Sequence, residues 1–492
     1  MSTLSADVVI VGAGNAALCA AVSARKAGAH VIVLERAPQK QRGGNSYFSG
    51  GWMRFTFESA EEIGETIHEL ALDGKQDFDV VPYTKSMFFD EMAQITQFRG
   101  DPDLISVMVN KSRETINWMH QLGVRFNWTF GKQTPKNNGR FQISGGNIAV
   151  SGGGAGLTDK LFEIAEAEGV QFLYESRAIK LLGDAGKNVT GIEFIDSKGK
   201  AEQITTKSVV LASGGFGASS EKRAQYLGPS WDLAKLRGSS FNTGDGIDMA
   251  LEFGGHSYGH WSGAHTVCWD ATSPRSGDRN SGNEFSRNSY PLGILVNKLS
   301  ERFLDEAIDY SSATYGLYGS NVIAQPDSSG FQIFDSKVLE LLDPNYNGRQ
   351  VSKVVANTIE ELATKLGLDT QALKKTVEQF NLAVDDSVSF DPNKLDGKST
   401  SQLTPKKSNW ANKIDTAPFY GFPVTAGLTF TFGGVRVNTD AQVLDAAEQP
   451  IGGLYAAGEM VGGVFYYTSP SGGGLTAGSV FGKIAGENAA RR

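Results

Sequence analysis

The chain opens with two short apolar segments on either side of an alanine-rich one. Residues 8–11 are all apolar and predict a buried strand, and residues 16–27 predict a helix that Gly28 closes. Residues 30–34 predict a second buried strand, which ends at Glu35. Because unbroken apolar strands are typical of parallel sheets covered on both faces, this order predicts a βαβ unit.

The same alternation returns later in the chain. A glycine cluster precedes a predicted helix at 157–168 and a predicted strand at 170–174. An apolar strand at 208–212 then runs into a second pair of glycines, and the C-terminal segment adds a strand at 453–459 and a helix at 475–490. The C-terminal pattern resembles the opening unit, so we expect the C-terminus to complete the first domain.

The middle of the chain has a different character. Residues 256–415 hold more aromatic and polar positions, with a loop rich in Ser, Asn and Arg at 273–289 and predicted helices near Val338 and at 358–383. We interpret this segment as an inserted domain. The predicted division is a nucleotide-binding domain at 1–255 and 416–492, and a capping or substrate domain at 256–415.

Length and composition narrow the class of protein. The 492 residues favour two domains, and the 59 glycines indicate many tight turns and close backbone approaches. A net charge of −8 without a basic cluster argues against nucleic acid as a partner. The two cysteines, with neither a targeting segment nor a membrane-spanning one, favour the cytoplasm.

The turn after the first strand has the features of a dinucleotide site. Gly12 permits a tight turn, Gly14 lets the backbone approach a pyrophosphate, and the small Ala17 permits close helix packing. The helix N-terminus supplies free N–H groups, and Glu35 can accept hydrogen bonds from ribose hydroxyls. This motif alone does not distinguish NAD from FAD.

Further glycine sites favour the longer cofactor. They occur after residue 42, after the strand at 208–212, at 243–246 and at 458–459, so they are spread over the whole chain. NAD enzymes of this fold need one such turn, whereas a cofactor lying across a domain needs several.

At these residues the sequence resembles the FAD-dependent fumarate reductase and succinate dehydrogenase flavoprotein superfamily, which includes 3-ketosteroid and tricarballylate dehydrogenases. The C-terminal block at 453–490 is the most specific part of the resemblance. The resemblance implies an α/β fold, in which a Rossmann-type FAD-binding domain is interrupted by an α+β capping domain. The flavin ring would lie at their junction.

The resemblance also assigns cofactor residues. Glu35 would bind the adenosine ribose, and the helix from about Leu475 would direct its N-terminus at the flavin pyrimidine edge, where reduction adds negative charge. No histidine stands at 46–51, where covalent members attach the flavin, so we expect non-covalent FAD. The predicted cofactor-binding residues are Gly12, Gly14, Asn15, Ala16, Glu35, Arg36, Gly43, Gly44, Asn45, Ser46, Ser49, Gly50, Gly51, Ala178, Ser213, Gly214, Asp245, Gly458, Glu459, Gly474, Leu475 and Thr476.

The sequence departs from the family where fumarate reductases hold their substrate. Thr429 and Phe430 replace paired histidines, and Ser469 replaces an arginine by an ungapped alignment. Tyr310 aligns with the proton-donating arginine. Because buried carboxylates need charge-assisted partners, these losses argue against a C4 dicarboxylate substrate.

Two subfamily signals disagree. Tyr310 and the loop at 466–474 resemble 3-ketosteroid dehydrogenases, which use a tyrosine as base and grip a ketone oxygen with a similar loop. Residues 1–100 and 302–318 resemble tricarballylate dehydrogenases. We therefore expect a small carbonyl or carboxylate substrate, without choosing between these classes.

Our mechanistic hypothesis uses what both subfamilies share. The flavin N5 exchanges a hydride with the carbon β to a carbonyl, and Tyr310 exchanges the proton at the α carbon. Tyr467, with the amides of Gly473 and Gly474, would polarise the carbonyl as an enolate develops. A tyrosine needs a neighbouring cation or hydroxyl to act near neutral pH.

Other readings stay open at this point. A flavin oxidase or monooxygenase would react with oxygen directly, and a non-catalytic flavoprotein would serve an electron-transfer complex; the electron acceptor is unknown. The histidines have no metal-binding spacing, and His256, His260 and His265 are interpreted as ordinary polar loop residues. Arg54 and Arg287 could contact an anion, although a solvated surface position is the ordinary expectation.

Overall fold

The structure is a computed structural model, and it describes residues 4–72 and 76–492. Strands and helices alternate over the first half, and a long antiparallel pair dominates the second. The strands are β1 Leu4–Val11, β2 Val31–Leu34, β3 Trp52–Met53, β4 Phe78–Val80, β5 Phe126–Trp128, β6 Lys136–Asn137, β7 Arg140–Ile143, β8 Ile148–Val150, β9 Gln171–Leu173, β10 Arg177–Asp184, β11 Asn188–Ile195, β12 Ala201–Leu211, β13 Lys235–Leu236, β14 Ser257–Asp270, β15 Ile294–Val296, β16 Gly330–Phe334, β17 Val354–Ala356, β18 Phe419–Val435, β19 Gln442–Leu444 and β20 Pro450–Ala456.

The helices begin with the one that follows the first strand. They are α1 Asn15–Lys26, α2 Gly44–Tyr47, α3 Ala60–Thr66, α4 Lys85–Ile95, α5 Pro102–Gln121, α6 Gly153–Ala167, α7 Ser220–Lys222, α8 Asp245–Glu252, α9 Ser311–Ile323, α10 Ile359–Leu366, α11 Thr370–Ala383 and α12 Gly473–Ala490.

The first sheet is the predicted nucleotide-binding sheet. Strand β1 lies at its centre and pairs in parallel with β2 on one side and β12 on the other. Strand β20 pairs in parallel with β12, so the C-terminal segment completes the sheet that the N-terminus begins. The order β10-β11-β20-β12-β1-β2-β9, with β19 on β20, confirms the Rossmann-type α/β prediction.

Helices α1 and α12 pack closely beside this sheet because their contact faces carry small residues. A Cβ at Gly482 would lie 2.3 Å from the Ala16 carbonyl oxygen, and one at Gly486 would lie 2.2 Å from that of Ala20. Since real Cβ atoms do not approach so closely, the glycines set the helix separation. The first and last helices of the chain therefore form one unit.

The second sheet is mainly antiparallel. Strand β14 pairs with β18 from Ser257 opposite Val435 to Asp270 opposite Val424, with two interruptions of the register. Strands β16 and β17 pair with the first part of β18, and β15 extends the sheet from β16. Helices α10 and α11 cover it with a separate apolar cluster.

The domain division at 255/256 and 415/416 stays a prediction. Strand β18 begins at Phe419, a few residues after the second predicted boundary, and pairs with the strands of the predicted cap. At its far end it reaches Val435, which also bridges to Val461 in the segment that leads to α12. One strand therefore runs from the second sheet back to the nucleotide-binding part.

Several elements differ from the sequence expectation. The predicted strand at 208–212 is the end of a longer strand, β12, which begins at Ala201. The helix expected at 358–383 is two helices, because Gly367 adopts a φ of +68° that ends α10. The segment near Val338 is a 3₁₀ helix, since Asp335 caps it and Leu342 leaves it in an extended conformation.

In the described ranges 4–72 and 76–492, every helix is too short or too polar to span a bilayer. No group of three or more His, Cys, Asp or Glu side chains in those ranges is placed to bind a metal ion.

Candidate active site

A cavity of about 720 Å³ runs from the first sheet to the second. At one end lie the turn after β1, Glu35 and Asp245, and at the other lie His265, Tyr310 and residues of the loop before α12. The cavity therefore joins the predicted nucleotide turn to the predicted substrate residues in one continuous space.

The turn after β1 leaves a helix N-terminus open to this cavity. Gly14 caps α1 without a side-chain hydrogen bond of its own, and the first turn of α1 holds no acidic residue. The Asn15 N–H donates to Ser46 Oγ at 3.1 Å, and the N–H groups that follow it in the first turn have no acceptor within the helix. Gly12 has a φ of +100°, and a Cβ there would lie 2.5 Å from the Ala212 carbonyl oxygen. Since the first N–H groups of a helix need acceptors and favour anions, this turn fits a pyrophosphate.

Glu35 stands at the end of β2, buried beside this turn. Its carboxylate accepts a hydrogen bond from the Ala37 backbone N–H at 2.6 Å. Burial raises the pKa of Glu35 to about 7, although backbone hydrogen bonds from Ala37, Ala13 and Arg36 oppose the rise. A buried carboxylate with unused acceptor capacity fits the hydroxyls of an adenosine ribose.

Asp245 begins α8 at the same end of the cavity. Arg177 donates to its carboxylate at 2.7 Å and Arg36 at 3.2 Å, and Thr243 adds a hydrogen bond at 2.7 Å. Burial alone would raise the pKa of Asp245, but Thr243 and both arginines hold it below its usual value. Arg36 therefore acts here as a link between the end of β2 and α8.

Glu459 connects the middle of the cavity to three distant segments. Its carboxylate accepts hydrogen bonds from Thr431 N at 2.9 Å, Asn242 Nδ2 at 3.1 Å and Asn45 Nδ2 at 3.2 Å. Burial raises the pKa of Glu459, and hydrogen bonds from Thr431, Asn242 and the Gly215 backbone oppose the rise. The carboxylate thus joins the loops at 43–51 and 214–215, and Asn242, to β18.

Most of the predicted cofactor residues border the cavity. Three of the predicted cofactor residues, Gly43, Gly51 and Thr476, do not line it, and neither does Gly473, which was predicted to polarise the carbonyl. The contacts of these three with FAD, like those of the lining residues, stay a prediction. The lining residues are Gly12, Gly14, Asn15, Ala16, Glu35, Arg36, Gly44, Asn45, Ser46, Ser49, Gly50, Ala178, Ser213, Gly214, Asp245, Gly458, Glu459, Gly474 and Leu475.

The residues outside the lining hold the wall in place. A Cβ at Gly51 would lie 2.6 Å from a backbone atom of Gly153, so this glycine permits a close approach to α6. The Thr476 hydroxyl accepts from Arg54 N and donates to Arg54 O, each at 2.8 Å. The Gly473 amide donates to Pro470 O at 3.0 Å and is thus already used.

Helix α12 presents a second open N-terminus to the cavity. Gly472 caps it in the left-handed conformation, without a side-chain hydrogen bond and without an acid in the first turn. Asn15 Nδ2 donates to Leu475 O at 2.9 Å and ties this helix start to that of α1. Both helix N-termini therefore border the same space, where each favours negative charge.

Tyr310 lies at the cap side of the cavity, directly before α9. It is half-buried, and its ring packs on that of Trp410 with 5.2 Å between the centroids. Burial and then the charge of Asp309 raise the pKa of Tyr310 to about 12. The hydroxyl is therefore protonated near neutral pH and can donate a proton.

Tyr467 is not brought together with the other predicted catalytic residues. It is 37% exposed, has a φ of +62°, and does not line the cavity. Its backbone N–H donates to His260 Nδ1 at 3.1 Å, and the two rings meet edge to face. Its role in polarising a carbonyl stays a prediction.

The structure corrects the interpretation of His260 and His265 as polar loop residues, because both lie in β14. His265 lies in β14, is buried, and borders the cavity. Its Nδ1 is 2.9 Å from the Ser469 hydroxyl, and its ring stacks on Phe430 with 5.2 Å between the centroids. Burial and the charge of Arg237 lower the pKa of His265 to about 3, so the ring is neutral.

Arg54 and Arg287 are not surface residues either. Arg287 is fully buried and pairs with the buried Asp270 at 2.9 Å, within the second sheet. Arg54 is buried at the cavity wall, where it pairs with Glu91 and donates to Tyr83 at 2.8 Å. The surface interpretation failed because a single arginine carries no sequence signal of its partner.

Two further cavity residues were not found by sequence reasoning. Arg237 follows β13 and is buried, and Tyr315 lies in the second turn of α9 with its ring against that of His265. Burial raises the pKa of Tyr315, while the charges of Arg237 and Arg54 and a hydrogen bond with Ser471 oppose the rise. Neither residue belongs to a local motif that could have identified it.

Such a fold and cavity define an FAD-dependent oxidoreductase, in which one end of the site fits a dinucleotide and the other holds titratable side chains. The family model described as "FAD binding domain" matches residues 7–475. The chain belongs to this family, and FAD is its cofactor.

Curated relatives extend over nearly the whole chain. A probable fumarate reductase of Shewanella frigidimarina is 28% identical over 497 aligned positions, covering 99% of this chain and 75% of the relative. A vinyl phenol reductase of Lactiplantibacillus plantarum is 28% identical, with 94% of this chain and 90% of the relative covered.

A solved structure agrees in fold. The 3-ketosteroid-Δ4-(5α)-dehydrogenase of Rhodococcus jostii superposes with a TM-score of 0.74 at 25% identity, covering 99% of this chain and 97% of that one. The fumarate reductase superfamily and the 3-ketosteroid dehydrogenase branch expected from the sequence are therefore both represented among its relatives.

Proposed function

We propose that this protein catalyses α,β-dehydrogenation, or the reverse ene reduction, of a CH–CH bond next to a carbonyl or carboxyl group. The observation that carries the proposal is the continuous cavity, which places Tyr310 and His265 in the same space as the open turn at Gly14. The similarity to a probable fumarate reductase, a vinyl phenol reductase and a 3-ketosteroid dehydrogenase supports this chemistry.

The cofactor would be held by backbone more than by charge. FAD, when bound, supplies two-electron exchange with the substrate as a hydride at N5. The N–H groups at the start of α1 would bind the pyrophosphate, and Glu35 the adenosine ribose. The N-terminus of α12 would favour negative charge on the reduced ring. We propose non-covalent attachment, because no histidine stands at 46–51.

Tyr310 would exchange the substrate proton at the α carbon. Its raised pKa, about 12, keeps the hydroxyl protonated, which suits a general acid in the direction of reduction. Its place before α9, against Trp410, fixes the ring at the cavity wall. Dehydrogenation would need the same group as a base, and burial opposes that ionisation.

Polarisation of the carbonyl would come from the start of α12. The Gly474 amide belongs to the first turn, whose N–H groups have no partner within the helix, and Gly474 borders the cavity. Gly473 could contribute only by giving up its hydrogen bond to Pro470, and Tyr467 only by turning from the surface. Gly474 is therefore the strongest of the three predicted donors.

A stopped-flow experiment without oxygen tests the function. Photoreduced holoenzyme is mixed with α,β-unsaturated carboxylates, ketosteroids and other enones, and oxidised holoenzyme with their saturated counterparts. We expect return or loss of the oxidised flavin band with at least one of these classes. Rapid reoxidation only by oxygen, with peroxide or a hydroxylated product, would support an oxidase or monooxygenase instead.

A pair of tyrosine variants tests the proton-transfer residue. Tyr310→Phe should keep FAD bound and slow flavin oxidation by the substrate by roughly two orders of magnitude or more. Tyr315→Phe, in the same helix region and the same cavity, is the matched control and should slow it by less than about tenfold. A slow Tyr315 variant beside an unchanged Tyr310 variant would move the role to Tyr315.

A further inference from the structure

Arg237 is a buried cation without an acidic partner. The residue is 9% exposed, and its Nε donates to Asn283 Oδ1 at 2.8 Å and its Nη1 to Thr429 Oγ1 at 3.0 Å. Both acceptors are neutral. Within residues 4–72 and 76–492 no carboxylate forms an ion pair with this guanidinium, and its Nη2 donates to no acceptor.

The other buried arginines of the described chain have more partners than Arg237. Arg287 pairs with Asp270 at 2.9 Å, although its Nε has no hydrogen-bond partner, and Arg302 pairs with Glu306. Arg223 has no carboxylate, but it donates to four backbone carbonyl oxygens at 2.6 to 3.3 Å. Arg237 has neither a carboxylate nor a set of carbonyl oxygens around its charge, which lies 5.8 Å from the centroid of the Trp269 ring, and its Nη2 is unused.

An anion from outside the chain would stabilise this unpaired, buried charge. Arginine keeps its proton in proteins, so burial does not neutralise it even though burial lowers the pKa of Arg237. An unpaired buried charge is costly, and a guanidinium binds a planar carboxylate through parallel N–H donors. Arg237 borders the cavity, which gives such an anion a route to Nη2.

We propose that Arg237 binds the single carboxylate of a monoanionic substrate, an inference that rests on the proposed function and names its substrate class. The charge balance of the wall supports one anion. Arg54 is already paired with Glu91, and His265 is neutral. For its second carboxylate, a dicarboxylate would have to reach the exposed Lys132, which borders the cavity and donates to Glu340 O.

The surroundings of Arg237 indicate what the rest of the substrate is. The rings of His265 and Phe430 stack at 5.2 Å, and Tyr315 meets His265 edge to face at 4.8 Å. This aromatic wall suits an apolar or aromatic remainder. The substrate class is therefore an α,β-unsaturated monocarboxylate, or its saturated counterpart, with an apolar group beyond the reacting carbons.

Binding to oxidised holoenzyme tests the proposal without turnover. Cinnamate, its neutral isostere cinnamamide, and fumarate are titrated calorimetrically, and melting temperature is recorded at the same ligand concentrations. Wild type should bind cinnamate at least about tenfold more tightly than either other ligand, a difference of roughly 1.4 kcal/mol. Equal binding of cinnamate and cinnamamide, or tighter binding of fumarate, would overturn the proposal.

Three variants assign the preference to Arg237. Arg237→Met should keep a full complement of FAD and lose both the preference for cinnamate and the cinnamate-induced rise in melting temperature. Arg237→Lys keeps the charge and should retain part of each. Arg223→Met, which removes a buried guanidinium outside the cavity lining, should retain the full preference.

The outcomes separate this proposal from the proposed function. If Arg237→Met loses FAD, or binds cinnamate like the wild type, Arg237 serves the cofactor or the fold and the proposal is overturned. If Arg237→Lys folds but has no preference for cinnamate, while Arg237→Met retains that preference, the positive charge at residue 237 is not the cause of the preference. If cinnamate binds through Arg237 but no enone reoxidises reduced flavin, the anion site stands and the proposed function fails.

Discussion

The two ends of the cavity are built by different means. At the nucleotide end, backbone groups do most of the work, with Gly12 and Gly14 in the turn and the open start of α1 beside them. At the cap end, side chains line the wall, among them Arg237 and His265. The nucleotide end suits a fixed cofactor. At the cap end, substitution of single side chains can change the substrate specificity.

This difference determines which residues can be substituted without loss of FAD binding. Thr429, Phe430 and Ser469 replace the charged or protonatable groups that the family resemblance leads one to expect, and all three border the cavity. Ser469 contacts His265 instead, and Thr429 accepts from Arg237. A cation is therefore present at this end, but it comes from the segment after β13.

The largest effect is expected at the nucleotide end. Gly14→Val should weaken FAD binding by at least about a hundredfold, roughly 2.7 kcal/mol, because a side chain would occupy the space beside the open helix start. A Cβ at Gly14 meets nothing closer than 3.5 Å, so the chain should still fold. FAD content of the purified protein and circular dichroism measure the two effects.

Gly28→Ala is the control at the other end of α1. Unlike Gly14, whose φ is −84°, Gly28 has a positive φ of +94°, and a Cβ there would meet nothing within 4 Å. Gly28→Ala should therefore have a free energy of unfolding lower by about 1 kcal/mol, because of backbone strain, and should keep FAD bound. A colourless Gly28 variant, or a yellow Gly14 variant, would contradict the backbone account of this end.

A smaller, pH-dependent effect is expected from His265 at the cap end. Its pKa is about 3 in the folded protein against an ordinary 6.5, so below pH 6.5 the unfolded chain takes up a proton that the folded chain does not. Stability is therefore lost as the pH falls from 6.5 towards 3. The melting temperature of His265→Asn should fall less between pH 7 and pH 4 than that of the wild type.

The control for this comparison is His30→Asn, at an exposed position. It should show the same fall in melting temperature as the wild type. A His265 variant with an unchanged fall would mean that the ring is protonated in the folded state, and the charge balance around Arg237 would have to include a second cation.

The smallest effect is expected for Tyr467. Tyr467 lies at the surface and does not border the cavity. Tyr467→Phe should therefore change kcat/KM by less than about threefold. Steady-state kinetics with the best substrate measure this. A loss of tenfold or more would show that the loop turns inward with substrate and would support the predicted role in polarising the carbonyl.

The nucleotide end could be predicted from the sequence because its chemistry is local. The strand, the glycine turn, the helix and Glu35 lie within 35 residues, and each leaves a pattern in hydrophobicity or residue type. Strand β20 and helix α12 could be found for the same reason. The structure confirms these elements, with β1 paired in parallel with β2 and β12, and β20 paired in parallel with β12.

The cap end could not be predicted to the same degree because its parts meet only in three dimensions. Strands β14 and β18 are long, but they are buried over much of their length and interrupted, so neither shows a clean alternation. His265 and Ser469 are 204 residues apart in the chain. Arg237 has no local motif, and its importance lies in the partner that it lacks.

A crystal structure of oxidised holoenzyme soaked with cinnamate tests most directly whether one cavity serves both cofactor and substrate. The account predicts FAD along the cavity, with its adenosine ribose at Glu35 and its pyrophosphate at the start of α1. It also predicts the cinnamate carboxylate on Arg237, with the double bond next to the flavin ring. A flavin that fills the space around Arg237, or cinnamate bound elsewhere, would contradict it.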